Sequence, residues 1–341
     1  MRQKNSYTPT AIILGDMRDL HHHGCEAVTQ ALIAGLVQQG FEISLVIPGL
    51  MWEQYRDSCL NADLVVINGE GALHHSRPSV NMVLCLAELR KNLCRPTALV
   101  NTSWFENSPD LTQRLTAFDI VTVRESRSRN EISEHAPVPM LVPDMAILYA
   151  MDQSITVEQS QQSMISDSTT SSLTKKLRKL ALLRYWEYLP VLARPLKARS
   201  GKKSIKIYRM TKVALSLGFL APWLLSPRYH AHAIGEVETL SYLKRLALCN
   251  GVVTGRFHTV CFAIALGIPF LAISSNTPKI EALLESVSLD AGTRMVDASH
   301  LFQIKKIPPF SEDELDALDK FKAQAILARS TFFTLLRGLV S

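Results

Sequence analysis

Residues 251–279 read GVVTGRFHTVCFAIALGIPFLAISSNTPK. The short apolar run Val252-Val253-Thr254 predicts a buried strand, and Gly255 breaks it. Arg256, Phe257 and His258 then stand at the opening of an apolar helix expected over 259–266. Gly267 ends that helix, with Pro269 just beyond. Residues 270–273 predict a second buried strand, followed by a polar loop over 274–277, after which Pro278 and Lys279 open another helix. Strand, helix, strand, helix at this spacing implies a parallel sheet. Ligands of such sheets bind beyond the carboxyl ends of the strands. Arg256, His258, Ser274, Ser275 and Lys279 all fall at that edge. Helix starts there add free N–H groups and the positive end of a dipole. Two cations and a histidine on that background predict a site for a phosphate or carboxylate.

The same alternation extends upstream. Strands are expected over 11–14, 41–47, 64–67, 97–100, 120–123 and 140–142. Helices are expected between them, over 25–39, 51–61, 80–92, 111–118 and 128–134. This predicts one doubly wound domain over about 1–150. Residues 153–173 are rich in Ser, Thr and Gln and read as a linker or loop. A basic segment follows, residues 174–212, with thirteen Lys or Arg against the single acid Glu187. Its charge of +12 exceeds the whole chain's +6, so the rest of the protein is net acidic. Residues 151–232 are therefore expected to be a linker with a basic insertion. A second Rossmann-like half is expected over 233–341, with helices over 237–248 and 312–339 and a strand near 294–296.

At 341 residues and 47% apolar content, the chain can bury two cores. Its six cysteines form no CxxC pair, as expected of buried free thiols in a reducing compartment. The polar start MRQKNSYTPT does not read as a secretory leader. The longest apolar run, residues 213–225, has 13 residues and contains Pro222. A spanning helix needs about 20. The expected location is the cytoplasm.

In these motifs the chain resembles the polysaccharide pyruvyltransferases. The segment Arg256-Phe257-His258 is similar to that family's Arg-Leu-His, and Gly267-Ile268-Pro269 and Pro278-Lys279 to its Gly-x-Pro and Pro-Lys. Earlier, Gly24-Cys25-Glu26-Ala27 stands where the family has Gly-Asp-Glu-Ala, and Asn68-Gly69-Glu70-Gly71 where it has a glycine triplet. Arg124-Glu125-Ser126 and Pro143-Asp144-Met145-Ala146 complete the series. The match fails between about 151 and 232. The resemblance implies an α/β fold of two facing Rossmann-like domains of the GT-B type with parallel sheets. It implies transfer of pyruvate from phosphoenolpyruvate to a sugar of a polysaccharide or its lipid-linked precursor, giving a ketal. No cofactor or metal is required by that reaction.

Carried onto these residues, Arg256 and Lys279 take the anionic groups, and His258 is the candidate acid or phosphate partner. Ser274 and Ser275 lie in the same loop. Gly24, Cys25 and Glu26, with the Asn68, Gly69, Glu70 and Gly71 loop, would hold the acceptor, Glu70 as hydroxyl acceptor or base. Arg124 supports this edge. Each residue also has a plainer reading: Arg256 in a salt bridge, His258 as a helix cap, Lys279 as a solvated first-turn lysine, Arg124 and Glu125 as a surface pair, and Asp144 as part of a turn.

Histidines 21–23 and 74–75 lack the spacing of a structural zinc site. They are expected to line the cleft instead. The basic segment, interleaved with Leu, Tyr185, Trp186 and Trp223, suits a peripheral contact on the inner face of the membrane, or a solvated insertion. Nothing else supports nucleic acid as a partner. A GT-B glycosyltransferase using a nucleotide sugar, and a non-catalytic polysaccharide-assembly protein, are the other readings of this fold and site.

Overall fold

The computed structural model describes residues 7–158, 162–192, 238–274 and 277–340. The first half is built on β1 (Thr10–Asp16), β2 (Glu42–Pro48), β3 (Leu64–Asn68), β4 (Thr97–Thr102), β5 (Ile120–Val123) and β6 (Met140–Leu141). They form one parallel sheet in the order β2-β1-β3-β4-β5-β6. Every residue of β3 and β4 is buried. Their near-continuous apolar runs are what a parallel sheet covered on both faces requires. The helices of this half are α1 (His23–Gln38), α2 (Arg56–Asn61), α3 (Pro78–Asn92), α4 (Pro109–Gln113), α5 (Ser126–Ser133) and α6 (Met145–Asp152). The helix expected over 51–61 opens as a 3-10 turn, Trp52–Tyr55, before α2. The one expected over 111–118 is α4 followed by a 3-10 turn, Arg114–Ala117.

The second half is built on β7 (Met164–Ser168), β8 (Glu187–Tyr188), β9 (Val252–Gly255) and β10 (Phe270–Ala272), parallel in the order β10-β9-β7-β8. Its helices are α7 (Ser171–Arg184), α8 (Thr239–Ala247), α9 (Phe257–Leu266), α10 (Lys279–Val287), α11 (Ala291–Arg294) and α12 (Glu312–Gly338). Numbered from β7, these strands take the same 2-1-3-4 order that opens the first sheet. Thus β7 is the counterpart of β1, and β9 of β3.

The reading of 153–173 as a linker fails over β7, which lies inside the second sheet with all five residues buried. The strand is unusual in being polar over its last three positions. Each has a partner: Ser166 Oγ donates to Asp167, Asp167 accepts from Arg256 and from the Val191 N–H, and Ser168 Oγ accepts from the Thr170 N–H. A satisfied polar group is tolerated in a core. The start of the basic segment also belongs to the domain. α7 buries Leu173, Leu177, Leu180 and Ala181 against the sheet and turns Lys175, Lys176 and Lys179 outward. The rest of the expected insertion, with the apolar run 213–225, lies outside the described residues. The strand expected near 294–296 reduces to one parallel bridge, Ala272 to Met295.

The unanticipated helix α6 lies between α1 and α9. Thr239 at the start of α8 bonds both Glu26 and His23 of α1. Arg127 of α5 pairs with Glu285 of α10, and Ser126 N–H donates to Ser286 Oγ. Helix α12 returns to the first half: the Phe333 ring lies over Gly35 of α1, and Arg337 over the Phe41 ring. One hydrophobic cluster accordingly runs through both halves. Four of the six free cysteines are buried. No helix among the described residues is long and apolar enough to cross a membrane.

Candidate active site

Strand order reverses direction between β1 and β3, and a doubly wound sheet opens a crevice at such a point. Gly15 ends β1 there with φ +97°, tight against the carbonyl of Asn68. A side chain would meet that carbonyl, so glycine is needed for both the angle and the space. Asn68, the last residue of β3, donates through Nδ2 to the Gly15 carbonyl at 3.1 Å and accepts from Asn101 Nδ2 at 3.3 Å. Asn101 in turn accepts from the Met145 N–H at 3.0 Å. A row of side-chain amides thus holds the carboxyl ends of β1, β3 and β4 to the start of α6.

Beyond β3 the chain turns through Gly69-Glu70-Gly71. Gly69 packs so closely on Thr102 that a Cβ would clash. Glu70 takes the left-handed conformation, φ 39°, which a non-glycine residue adopts at a cost. Its carboxyl group is received by a prepared set of partners. Cys25 Sγ donates to Oε1 at 3.2 Å, Asn68 Nδ2 lies 3.4 Å from Oε2, and His258 Nε2 lies 3.4 Å from Oε1. Gly71 carries the loop past Arg124 and Lys279.

Arg124 follows β5 and is sealed from solvent. It pairs with Asp144 at 2.6 Å, donates to Ser103 Oγ at 2.8 Å and lies 4.3 Å above the Phe257 ring. Asp144 is fully buried and caps α6 by accepting from the Ala146 N–H at 2.8 Å. One carboxylate therefore terminates an arginine and starts a helix.

The second half contributes His258 and Lys279, each at the start of a helix whose N-cap side chain makes no capping bond. His258 is buried against Gly24, where any Cβ would collide with the imidazole. The His22 ring meets it edge-on with centroids 5.1 Å apart. Its Nε2 has no hydrogen-bond partner and points between Glu70 and Asp144, the latter 4.0 Å away. Burial, and then the charges of Arg124, Lys279 and Arg256, push its pKa well below the ordinary value, so the ring is neutral at pH 7. Glu70 moves the other way. Burial raises its pKa, the charge of Asp144 adds to that, and Arg124, Cys25 and Lys279 oppose it. Lys279 makes no ion pair or hydrogen bond among the described residues, and its Nζ sits 5.6 Å from the centre of the Phe257 ring. Burial, helped by Arg124, brings its pKa down to about 8. It is still mostly charged at neutral pH, a cation without an anion. A cleft open to solvent runs beside it between Gly71, His74, Ser103, Arg127 and Pro278.

Glu70, Cys25, Gly24, Asn68, Gly69, Gly71, Arg124, His258 and Lys279 thus converge as the sequence suggested. Others do not. Arg256 stands at the N-cap position of α9 and commits Nε and Nη2 to Asp167 Oδ2, at 2.9 and 2.6 Å. Arg256 is thus paired, whereas among the described residues Lys279 is not. Ser274 is exposed and donates to Glu281 at 2.6 Å, and Ser275 lies outside the described residues. Glu26 faces Gln30 and Thr239 rather than Glu70. Glu125 is no surface residue: it is buried and caps α5 through the Ser128 N–H at 2.9 Å. His21 is exposed, His23 stacks on Tyr242, and His75 pairs with Glu106. Among the described residues no three His, Cys, Asp or Glu side chains gather as metal ligands would. Asp144, Ser103 and Asn101 went unassigned in the sequence. Only Asp144 carried a signal, a polar residue just before the apolar run 145–151.

A family model described as polysaccharide pyruvyl transferase matches residues 22–277. No curated protein matches the chain. Among solved structures, a protein from Listeria monocytogenes, provisionally named a UDP-N-acetylglucosamine 2-epimerase, is 13% identical with a TM-score of 0.54, over 94% of this chain and 91% of that one. A UDP-GlcNAc 2-epimerase from Methanocaldococcus jannaschii is 11% identical (TM-score 0.46; 93% of this chain, 99% of that one). An uncharacterised protein from Klebsiella pneumoniae subsp. pneumoniae is 12% identical (TM-score 0.49; 85% and 92%). The fold is of the GT-B type.

Proposed function

Given that the chain belongs to the polysaccharide pyruvyl transferase family, we propose that it transfers pyruvate from phosphoenolpyruvate to two hydroxyls of one sugar, forming a cyclic ketal. The observation that carries this reading is the unpaired Lys279 beside the Glu70–His258 contact, at the edge where the two halves meet. Phosphoenolpyruvate presents a carboxylate and a phosphate. Lys279 and the free N–H groups at the starts of α9 and α10 suit those anions. Arg124 is already neutralised by Asp144, so it fixes the site rather than binding in it.

The chemistry needs one proton on the methylene carbon, which becomes the methyl group. The first sugar hydroxyl attacks the adjacent carbon and gives up its proton. The second hydroxyl then displaces phosphate and closes the ring, and its proton leaves with the phosphate. Charge and atoms balance without an outside oxidant or reductant. Glu70 and His258 are in contact, and their environments push their proton affinities apart.

The acceptor we propose is a sugar of a polysaccharide or of its lipid-linked precursor, with the reaction run in the cytoplasm. Incubation of the purified protein with phosphoenolpyruvate and candidate sugar acceptors, in parallel with nucleotide sugars, tests the reading. Phosphate release that depends on acceptor, with a ketal methyl signal in the product, is expected. Nucleotide release without phosphate release would replace it with a glycosyltransferase.

A further inference from the structure

Glu70 and His258 are paired, but their roles are not fixed by the reaction alone. We infer that Glu70 is the acid that protonates the methylene carbon, and that His258 is the base that takes the proton of the attacking hydroxyl. This rests on the pyruvyl-transfer reading and reverses the roles that residue type suggests.

Three observations carry it. First, the Glu70 loop is built to present that carboxyl group. Its backbone is held left-handed between two glycines, Gly69 is pressed on Thr102, and the carboxyl oxygens take bonds from Cys25 and Asn68. The side chain keeps 12% exposure. Second, His258 Nε2 is buried with no hydrogen-bond partner, and a buried ring nitrogen without one is free to serve a ligand. Third, cations surround the imidazole: Arg124, Lys279 and Arg256 all disfavour its charged form. A group that begins neutral among cations can accept a proton once an anionic substrate offsets them. It is poorly placed to bring one. Burial raises the Glu70 pKa, so the two groups are shifted in opposite senses. Cys25 then has a positioning role, since its thiol fixes the Glu70 oxygen nearest His258.

In atoms, the Glu70 O–H breaks as the methyl C–H forms, and the substrate carbon beside it is attacked by the sugar oxygen. The hydroxyl proton passes to His258. As the second hydroxyl displaces phosphate, its proton leaves with the phosphate, and His258 returns its own to Glu70 across their contact.

The test is the reaction in heavy water, with deuterium followed in the methylene of recovered phosphoenolpyruvate and in the product methyl group. Glu70→Gln is expected to lose deuterium uptake and to lower turnover by roughly 10²–10⁴. His258→Asn is expected to keep uptake into recovered phosphoenolpyruvate while losing ketal formation. Glu70→Asp should recover part of the uptake, which separates loss of the acid from loss of the fold. Uptake retained by Glu70→Gln, or abolished in His258→Asn as well, overturns the assignment. A wild-type protein that binds phosphoenolpyruvate yet never releases phosphate overturns the reaction, and the assignment with it.

Discussion

Lys279 shows how one residue can cost stability and supply function. Its folded pKa of about 8 lies below the ordinary lysine value of 10.5, so at pH 7 the folded protein holds a desolvated charge that the unfolded chain holds in water. The deficit is full below pH 8 and is relieved as pH rises from 8 toward 10.5. Lys279→Met should therefore be more stable by about 1–3 kcal/mol. It should also lose phosphoenolpyruvate binding; thermal melts and calorimetric titration measure the two. In the unaltered protein, affinity for phosphoenolpyruvate should fall as pH rises through about 8, and Lys279→Arg should remove that limb. Gly24 makes the complementary point. Gly24→Ala would drive a methyl group into the His258 ring. Its expected effect is a large loss of turnover for about 1–3 kcal/mol of stability, read by kinetics beside a denaturant melt. Several of these residues were legible because strand ends and helix starts give away the sheet's edge. The Arg256–Asp167 pair was not legible for a definable reason: Asp167 sits on a strand whose sequence, MISDS, shows neither an apolar run nor alternation.

At the scale of elements, β7 and α6 were both omitted, and they fail differently. β7 is buried yet half polar, because its hydroxyls and carboxylate are satisfied by neighbours far along the chain, which no local pattern records. α6, MAILYAMD, is buried along most of its length between α1 and α9, so it has no polar face to set a helical period. The turn before it was seen, but the cap was not. α7 shows the opposite case. Its inward leucines recur at helical spacing, yet the dense positive charge drew the reading toward a solvated segment. If α7 is a structural helix of the second half, Leu177→Ala should cost about 2–5 kcal/mol. Substituting Lys175 and Lys176 by Gln should cost almost nothing. Equal costs for the two changes in a denaturant titration would contradict that placement.

At the scale of the whole molecule, parallel sheets were foreseeable from alternation, and their facing arrangement was what the family resemblance implied. The place of residues 193–237 was not foreseeable. The described chain stops at Leu192, which bridges His22, and resumes beside Thr239, which bonds Glu26 and His23. Both flanks thus rest on the start of α1, next to His258. We propose that the basic segment within residues 174–225 draws the protein to an anionic membrane surface near a lipid-linked acceptor. Each cation close to such a surface contributes about 1 kcal/mol, screened by salt. Sedimentation should show binding to anionic vesicles that weakens at high salt, and no binding to neutral ones; equal, negligible binding to both at low salt would refute it. The return of α12 to the first half has a further consequence, for the chain as it is made. β1 to β6 are all synthesised by residue 141, yet the surface of α1 around Gly35 stays uncovered until Phe333 arrives. Synthesis must therefore reach Phe333 before the earliest half is covered. A chain that stops ahead of Phe333 would carry a bare apolar flank, the kind of surface that chaperones and proteases seize.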